Sequence, residues 1–281
     1  MKLTSSAVRS LLPVRDPAGH KGSFGRVYCL CGCEAMPGAA VLSVSAAVRS
    51  GAGLCTVGGS PALCRQVVSA RPEVITHPFD PAAVPLPELA ERINAGTAAV
   101  IGSGLGKANH ALVRNLVPLL DIPLVIDADG IRALTEENFR WDSIHAPFVI
   151  TPHLGEMQAV CGKAPREILQ NRERCARETA KKIGGCVLLK GPGTLITDGS
   201  QVLANTTGSD ALATAGSGDV LGGLIGGLAA QGAPLLSAAA AGAYLHGLAG
   251  DLAAEKLTNY CVIASDVLSF LPEAFKKILS L

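Results

Sequence analysis

Six short apolar runs limit what this chain can fold into. They are RVYCLCG, GLCTVGG, AAVIGSG, PLVIDAD, PFVITP and CVLLKG. Most close on Gly, Asp, Pro or another polar residue. Segments with helical spacing lie between them, among them GAAVLSVSAAVRSG and HALVRNLVPLL. Strands that are apolar on both faces and alternate with helices predict a mostly parallel central sheet flanked by helices on both faces. One segment departs from this rule. TLITDGSQVLANTTG places two short runs around DGS, a turn signal, and predicts an antiparallel hairpin. The chain after it reads as helix. No linker or repeat interrupts it, so the expectation is a single α/β domain over residues 1–281.

The composition excludes several function classes. Hydrophobic residues make up 48% and charged residues 17% of 281, which is a globular balance. The net charge is +1, with no basic stripe to hold nucleic acid. The nine cysteines are odd in number and scattered from Cys29 to Cys261, and MKLTSSAVRSLLPVRD has no apolar core of a secretion signal. Free thiols in a reducing cytoplasm are expected. In CLCGC, a strand would put Cys29, Cys31 and Cys33 on one face as small apolar residues. No second Cys/His pair has zinc spacing, so no metal site is expected. Val220 to Gly250 has no Asp, Glu, Lys or Arg, but QGAP splits it into pieces shorter than the ~20 residues a membrane span needs. Two buried helices are expected there, and no membrane role.

In a parallel sheet, ligands sit beyond the carboxyl ends of the strands. Gly102 to Gly106, Asp127, Asp129, Thr151 to Glu156 and Lys190 to Thr194 all fall at such ends, which predicts one cleft. GSGLGKAN fails the Walker A and dinucleotide spacings, leaving a tight turn or a close backbone approach to a ligand. In IDADG, Asp129 is expected as a helix N-cap. In TPHLGE, His153 is either structural or a substrate contact. Lys190 either snorkels to solvent or meets a phosphate as a point charge.

AGSGD, before the apolar pattern Leu221, Leu224, Ile225 and Leu228, points most directly to chemistry. Gly216 and Gly218 leave backbone amides bare at a helix N-terminus, which makes an anion hole. Asp219 sits in the first turn, where the dipole favours its charged form, placed to take a proton from an attacking hydroxyl. Gly222, Gly223, Gly226 and Gly227 form smooth ridges for close packing.

These residues resemble the ribokinase-like superfamily. In order along the chain, HKGSFGRVYCLCG, MPGAAVLSVSAAVRSGAGL, GSGLG, VIDADGI, ITPHLGEM, VLLKGPGT, NTTGSDALATAGSGDVLGG and AYLHGLAGD are similar to the ADP/ATP-dependent NAD(P)H-hydrate dehydratases. The resemblance implies repair of NADH or NADPH hydrated at ring carbon 6. A nucleotide, ADP or ATP with Mg2+, phosphorylates that hydroxyl, and phosphate then leaves. It implies that Ala39, Gly104, His153 and Asp219 contact the hydrated dinucleotide, with Asp219 as base. Lys190, Gly191, Pro192, Gly193, Thr194, Gly216, Ser217 and Gly218 would contact the nucleotide, with Asn205 nearby. It further implies a homo-oligomer, a tetramer by analogy, and a separate epimerase partner, since the chain is too short to hold both activities.

The chain departs from the family pattern at four places. Ser103 stands where the family usually has Pro, Ser209 for Asn, Ala215 for Gly and Ser217 for Thr. No residue reads the phosphate count, so ADP and ATP are both implied. Two alternatives come from other functions: a small-molecule kinase of the same superfamily that stops at the phosphate ester, and a nucleotide-binding sensor without turnover.

Overall fold

A computed structural model describes residues 1–136 and 138–280. Among the described residues, nine strands form one sheet: β1 (Arg26–Leu30), β2 (Leu54–Gly59), β3 (Ile75–Pro78), β4 (Ala98–Ile101), β5 (Leu124–Ile126), β6 (Phe148–Ile150), β7 (Cys186–Leu189), β8 (Leu195–Thr197) and β9 (Val202–Ala204). Their spatial order is β3-β2-β1-β4-β5-β6-β7-β8-β9. β1 to β7 run parallel, while β8 and β9 pair antiparallel as the expected hairpin. β3 was not among the expected strands. It is an edge strand ending in Pro78, a residue that only an edge tolerates well.

The pleat divides the apolar runs between two cores. Val27, Cys29, Ala98, Val100, Val125, Val149 and Leu188 face one core, and Tyr28, Leu30, Ala99, Ile101, Ile126, Ile150 and Leu189 face the other. This period-two split accounts for runs that are apolar throughout. The first core is closed by α1 (Ser5–Leu11), α2 (Pro37–Arg49), α3 (Pro61–Ala70) and, after the hairpin, α10 (Ser217–Ala230), α11 (Leu235–Leu257) and α12 (Ala264–Leu279). The second is closed by α4 (Leu86–Asn94), α5 (His110–Leu116), α6 (Asp129–Thr135), α7 (Leu154–Cys161), α8 (Pro165–Gln170) and α9 (Arg172–Ile183). Strand order grows one way from β1 to β3, then reverses from β4 onward, and the covering helices change face with it, as right-handed crossovers require.

The α10 glycines do what their spacing suggests. A Cβ on Gly223 would lie 2.0 Å from the Ser43 carbonyl oxygen, and one on Gly227 would lie 1.8 Å from Ser50 Oγ, so this ridge lets α2 in. A Cβ on Gly226 would lie 2.2 Å from Val100 Cγ2, so its ridge meets β4.

The CLCGC expectation needs one correction. Cys29 and Cys31 share a core, but β1 ends at Leu30 and Gly32 turns at φ +75°. Cys33 therefore leaves the line of the strand and is only half-buried. All nine cysteines are free thiols. Among the described residues no helix is long and apolar enough to cross a membrane.

Candidate functional site

Adjacent strands bring polar side chains to one sheet edge. β5 delivers Asp127, β6 Thr151 and β7 Lys190, beside the Gly102–Gly106 loop that follows β4. Asp127 is 2% exposed and is the hub. Thr151 Oγ1 donates to its Oδ1 at 2.5 Å, Lys190 Nζ donates to the same oxygen at 2.9 Å, and Ser103 Oγ donates to Oδ2 at 3.2 Å. A carboxylate this deep needs such donors, since an unpaired buried charge is costly. Lys190 Nζ also lies 3.9 Å from Glu156 Oε2. Burial works against its ammonium charge, but Asp127 and Glu156 outweigh that and hold its pKa above the ordinary value. Lys190 therefore does not snorkel to solvent.

The N-terminus of α10 closes the cleft over this hub. Gly216 caps it at φ +86°, a conformation that favours glycine. Ser217 N donates to Thr214 O and Val220 N to Gly216 O, while the amides between them belong to the first helical turn, which has no intrahelical acceptors. A Cβ on Gly218 would lie 3.5 Å from Lys190 Nζ and 3.7 Å from Asp127 Oδ2, so helix end and ion pair form one site. Asp219 differs from the expectation that the dipole governs it. Burial and the nearby Asp127 raise its pKa to about 6, against the opposing pull of Lys190. Desolvation beats the helix end here, and the charge of Asp127 adds to it.

Between β1 and β4 the strand order reverses, and ligand crevices form at such switch points. Ala39 and Gly104 meet there. Gly104 takes φ +65°, and any Cβ on it would come 2.5 Å from Ala39 Cβ. Gly32 N donates to Ser103 O at 2.7 Å and ties the two strand ends together. Asp129 also departs from its expected role. It is the first residue of α6 rather than the N-cap, and its Oδ2 accepts from Gly106 N at 2.8 Å, which braces the Gly102–Gly106 loop. The capping position falls to Ala128, held at φ 47°.

His153 has a structural role that does not remove it from the cleft. Its Nδ1 accepts from Gly155 N and Glu156 N, capping α7, and its Nε2 lies 3.3 Å from Glu156 Oε1. The side chain remains 52% exposed. The Gly191, Pro192, Gly193 and Thr194 loop turns at Gly191 and Gly193, and Thr194 Oγ1 donates to Gly191 O at 2.9 Å. Arg172, at the start of α9, donates to the carbonyls of Leu189 and Pro192 and fixes this loop from behind. Asn205 N donates to Thr194 O at 2.8 Å, so Asn205 does lie beside the loop. Its side chain is taken up by Thr207 and by the Ala243 carbonyl of α11. Among the described residues no group of three His, Cys, Asp or Glu is placed to hold a metal ion.

Residues 27–273 match the family model described as NAD(P)H-hydrate dehydratase. The chain belongs to the NAD(P)H-hydrate dehydratase family. It is 40% identical over 286 aligned positions to a Moorella thermoacetica protein named bifunctional NAD(P)H-hydrate repair enzyme Nnr, covering 98% of this chain and 54% of that one. It is 36% identical to the ADP-dependent (S)-NAD(P)H-hydrate dehydratase of Neisseria meningitidis serogroup B, covering 79% and 74% respectively. The chain thus spans about half the length of the bifunctional relatives it matches. Its fold superposes on the ADP/ATP-dependent NAD(P)H-hydrate dehydratase of Bacillus subtilis co-crystallised with ATP/Mg2+, with TM-score 0.86, 30% identity, and coverage of 98% and 97%. These likenesses bear out the ribokinase-like α/β expectation.

The contacts implied by the resemblance left out residues that strand-end position had already assigned to the cleft. Ser103, Asp127, Thr151 and Glu156 form the polar floor of the cleft. A polar residue directly after an apolar run was the available signal for Asp127 and Thr151. Arg172 sits at the start of a helix far away in sequence, and nothing local marks it.

Proposed function

We propose that this chain restores hydrated NADH and NADPH, using ADP or ATP to phosphorylate the C6 hydroxyl and releasing phosphate with AMP or ADP. The observation that carries this reading is the meeting of Asp219, Lys190 and Asp127 at the N-terminus of α10. A kinase step needs a base for the hydroxyl, a cation for the phosphate and a fixed anion hole, and these gather at one helix end. Asp219 takes the hydroxyl proton as the C6 oxygen attacks the terminal phosphorus, and the nucleotide leaves as AMP or ADP. The ring nitrogen lone pair then expels phosphate from C6. Loss of the C5 proton restores the double bond.

In this reading Ala39, Gly104 and His153 join Asp219 against the dinucleotide. The support is the switch-point contact of Ala39 with Gly104 and the exposed flank of His153. Lys190, the Gly191–Thr194 loop, Asn205 and Gly216 to Gly218 serve the nucleotide. Magnesium is carried in on the nucleotide phosphates, as part of the co-substrate, which suits an ion that keeps waters and takes few protein ligands. Residues 1–281 act as one dehydratase domain. By the same resemblance it works in the cytoplasm as a homo-oligomer, a tetramer, beside a separate epimerase.

The test is recovery of the dihydronicotinamide absorbance of hydrated NADH with ADP or ATP and magnesium, with one phosphate released per cofactor. Asp219→Asn keeps the shape but not the basicity, and turnover is expected to fall by about 10²–10⁴-fold. Unchanged hydrate with both nucleotides, alongside phosphorylation of a small alcohol, would replace this reading by the kinase alternative.

A further inference from the structure

Ser217 opens α10, and its side chain reaches α11. Its Oγ lies 3.1 Å from His246 Nε2. Both residues are buried, with His246 7% and Ser217 6% exposed. His246 stands one turn after Ala243, whose carbonyl holds Asn205, so one face of α11 carries contacts to both the hairpin loop and the helix end. Nothing in the reaction as derived uses this imidazole.

Serine has a freely rotating hydroxyl and no branch at Cβ to fix χ1. A hydroxyl between a histidine and a phosphate can run in only one useful direction. Phosphate oxygens accept and do not donate. If Ser217 spent its proton on His246, its oxygen would face the phosphate with lone pairs. If the ring donates instead, the hydroxyl proton is free for the anion. Burial, and Lys190 beyond it, push the His246 pKa down to about 4, so the ring is neutral and carries one proton. The Ser217 backbone acts in the opposite direction, favouring a proton on the ring.

We propose that His246 is a positioning residue for the nucleotide: its imidazole donates from Nε2 to Ser217 Oγ and so turns the serine proton toward the phosphate received at the N-terminus of α10. The inference rests on the functional reading above only in assigning a nucleotide phosphate to that helix end.

Two measurements test it. Direct binding of ADP and ATP is compared for wild type, His246→Gln, His246→Leu, Ser217→Ala and the double variant His246→Leu/Ser217→Ala. Glutamine places an amide donor near the Nε2 position. A hydrogen bond to a charged phosphate is worth roughly ten- to a hundredfold in affinity. Ser217→Ala and His246→Leu should each weaken binding by about tenfold or more on that scale, while His246→Gln stays within about threefold of wild type. The double variant should bind no worse than Ser217→Ala. If His246→Leu weakens binding equally with and without the Ser217 hydroxyl, the effect does not pass through serine and the proposal fails. The second measurement is the nitrogen-15 spectrum of the folded wild-type protein near neutral pH. The Nε2–H tautomer is expected, and an Nδ1–H tautomer overturns the proposal even if a leucine variant folds poorly. A wild-type protein that binds nucleotide but repairs no hydrate would sink the functional reading and leave this one standing.

Discussion

At the scale of single residues, the cleft runs on one unneutralised carboxyl. Asp127 is satisfied by Thr151, Ser103 and Lys190. Asp219 is left with a pKa of about 6, close to where a general base is most effective. A base works when deprotonated, so kcat/KM should fall as pH drops through about 6. Ser103 offers a way to move that limb. Its single proton goes to Asp127 Oδ2, and without it the Asp127 charge beside Asp219 is less screened, so Ser103→Ala should shift the acidic limb upward. A pH profile with an unmoved or lowered limb would show that Ser103 does not act on Asp219 through Asp127. The positions of Asp127, Thr151, Lys190 and Asp219 were legible in sequence because each follows an apolar run or opens an apolar helix. The protonation of Asp219 was not. The helix end is visible in AGSGD, but the burial and the second carboxylate that overcome it come from β4 and β5, far away in the chain.

At the scale of elements, α10 is set by which of its glycines are crowded. Gly223 and Gly227 let α2 approach to backbone contact, and Gly226 does the same against Val100 of β4. Gly222 differs, because a Cβ there would meet Val100 and Ser103 only at 3.7 and 3.8 Å, ordinary contact distances. The two neighbours should therefore respond oppositely to alanine. Gly223→Ala must push the helices apart and should cost about 1–3 kcal/mol or more. Gly222→Ala should be neutral or gain up to about 1 kcal/mol of helix propensity. Thermal melts of the two variants check this, and equal losses would mean that packing does not select between them. The close-packing ridges were readable from the four-residue spacing. Which ridge met which partner was not, since that depends on the rotation of α10 over the sheet. The same limit explains Asp129. Its place after a strand suggested an N-cap, yet the chain turns one residue earlier, at Ala128, and frees its carboxylate to brace Gly106.

At the scale of the whole molecule, the reversal of strand order between β1 and β4 places the crevice, and two ionisable groups stand at the helix end above it, half-buried Asp219 on α10 and buried His246 on α11. Their titrations oppose each other. Asp219 has its folded pKa raised from 3.8 to about 6, so its contribution to stability is present in acid and is lost as pH rises through about 6. His246 has its folded pKa lowered from 6.5 to about 4, so its contribution is present above 6.5 and is lost as pH falls toward 4. At about 1.4 kcal/mol per unit, each amounts to an order of 2–3 kcal/mol across the same window. Between pH 6.5 and 4 the two nearly cancel in the wild-type protein. Single substitutions remove one side of the balance. Asp219→Asn should raise the melting temperature at pH 7.5 and lose that advantage as the pH approaches 4. His246→Gln should compare less favourably with wild type at neutral pH than in acid, where the unfolded histidine takes up a proton that the buried ring resists. The quantity to measure is the difference from wild type at each pH, because groups common to both proteins drop out of it. Differences that stay flat from pH 4 to 7.5 would mean that neither group titrates with the fold, and that the anion site at α10 is wetter than its burial indicates.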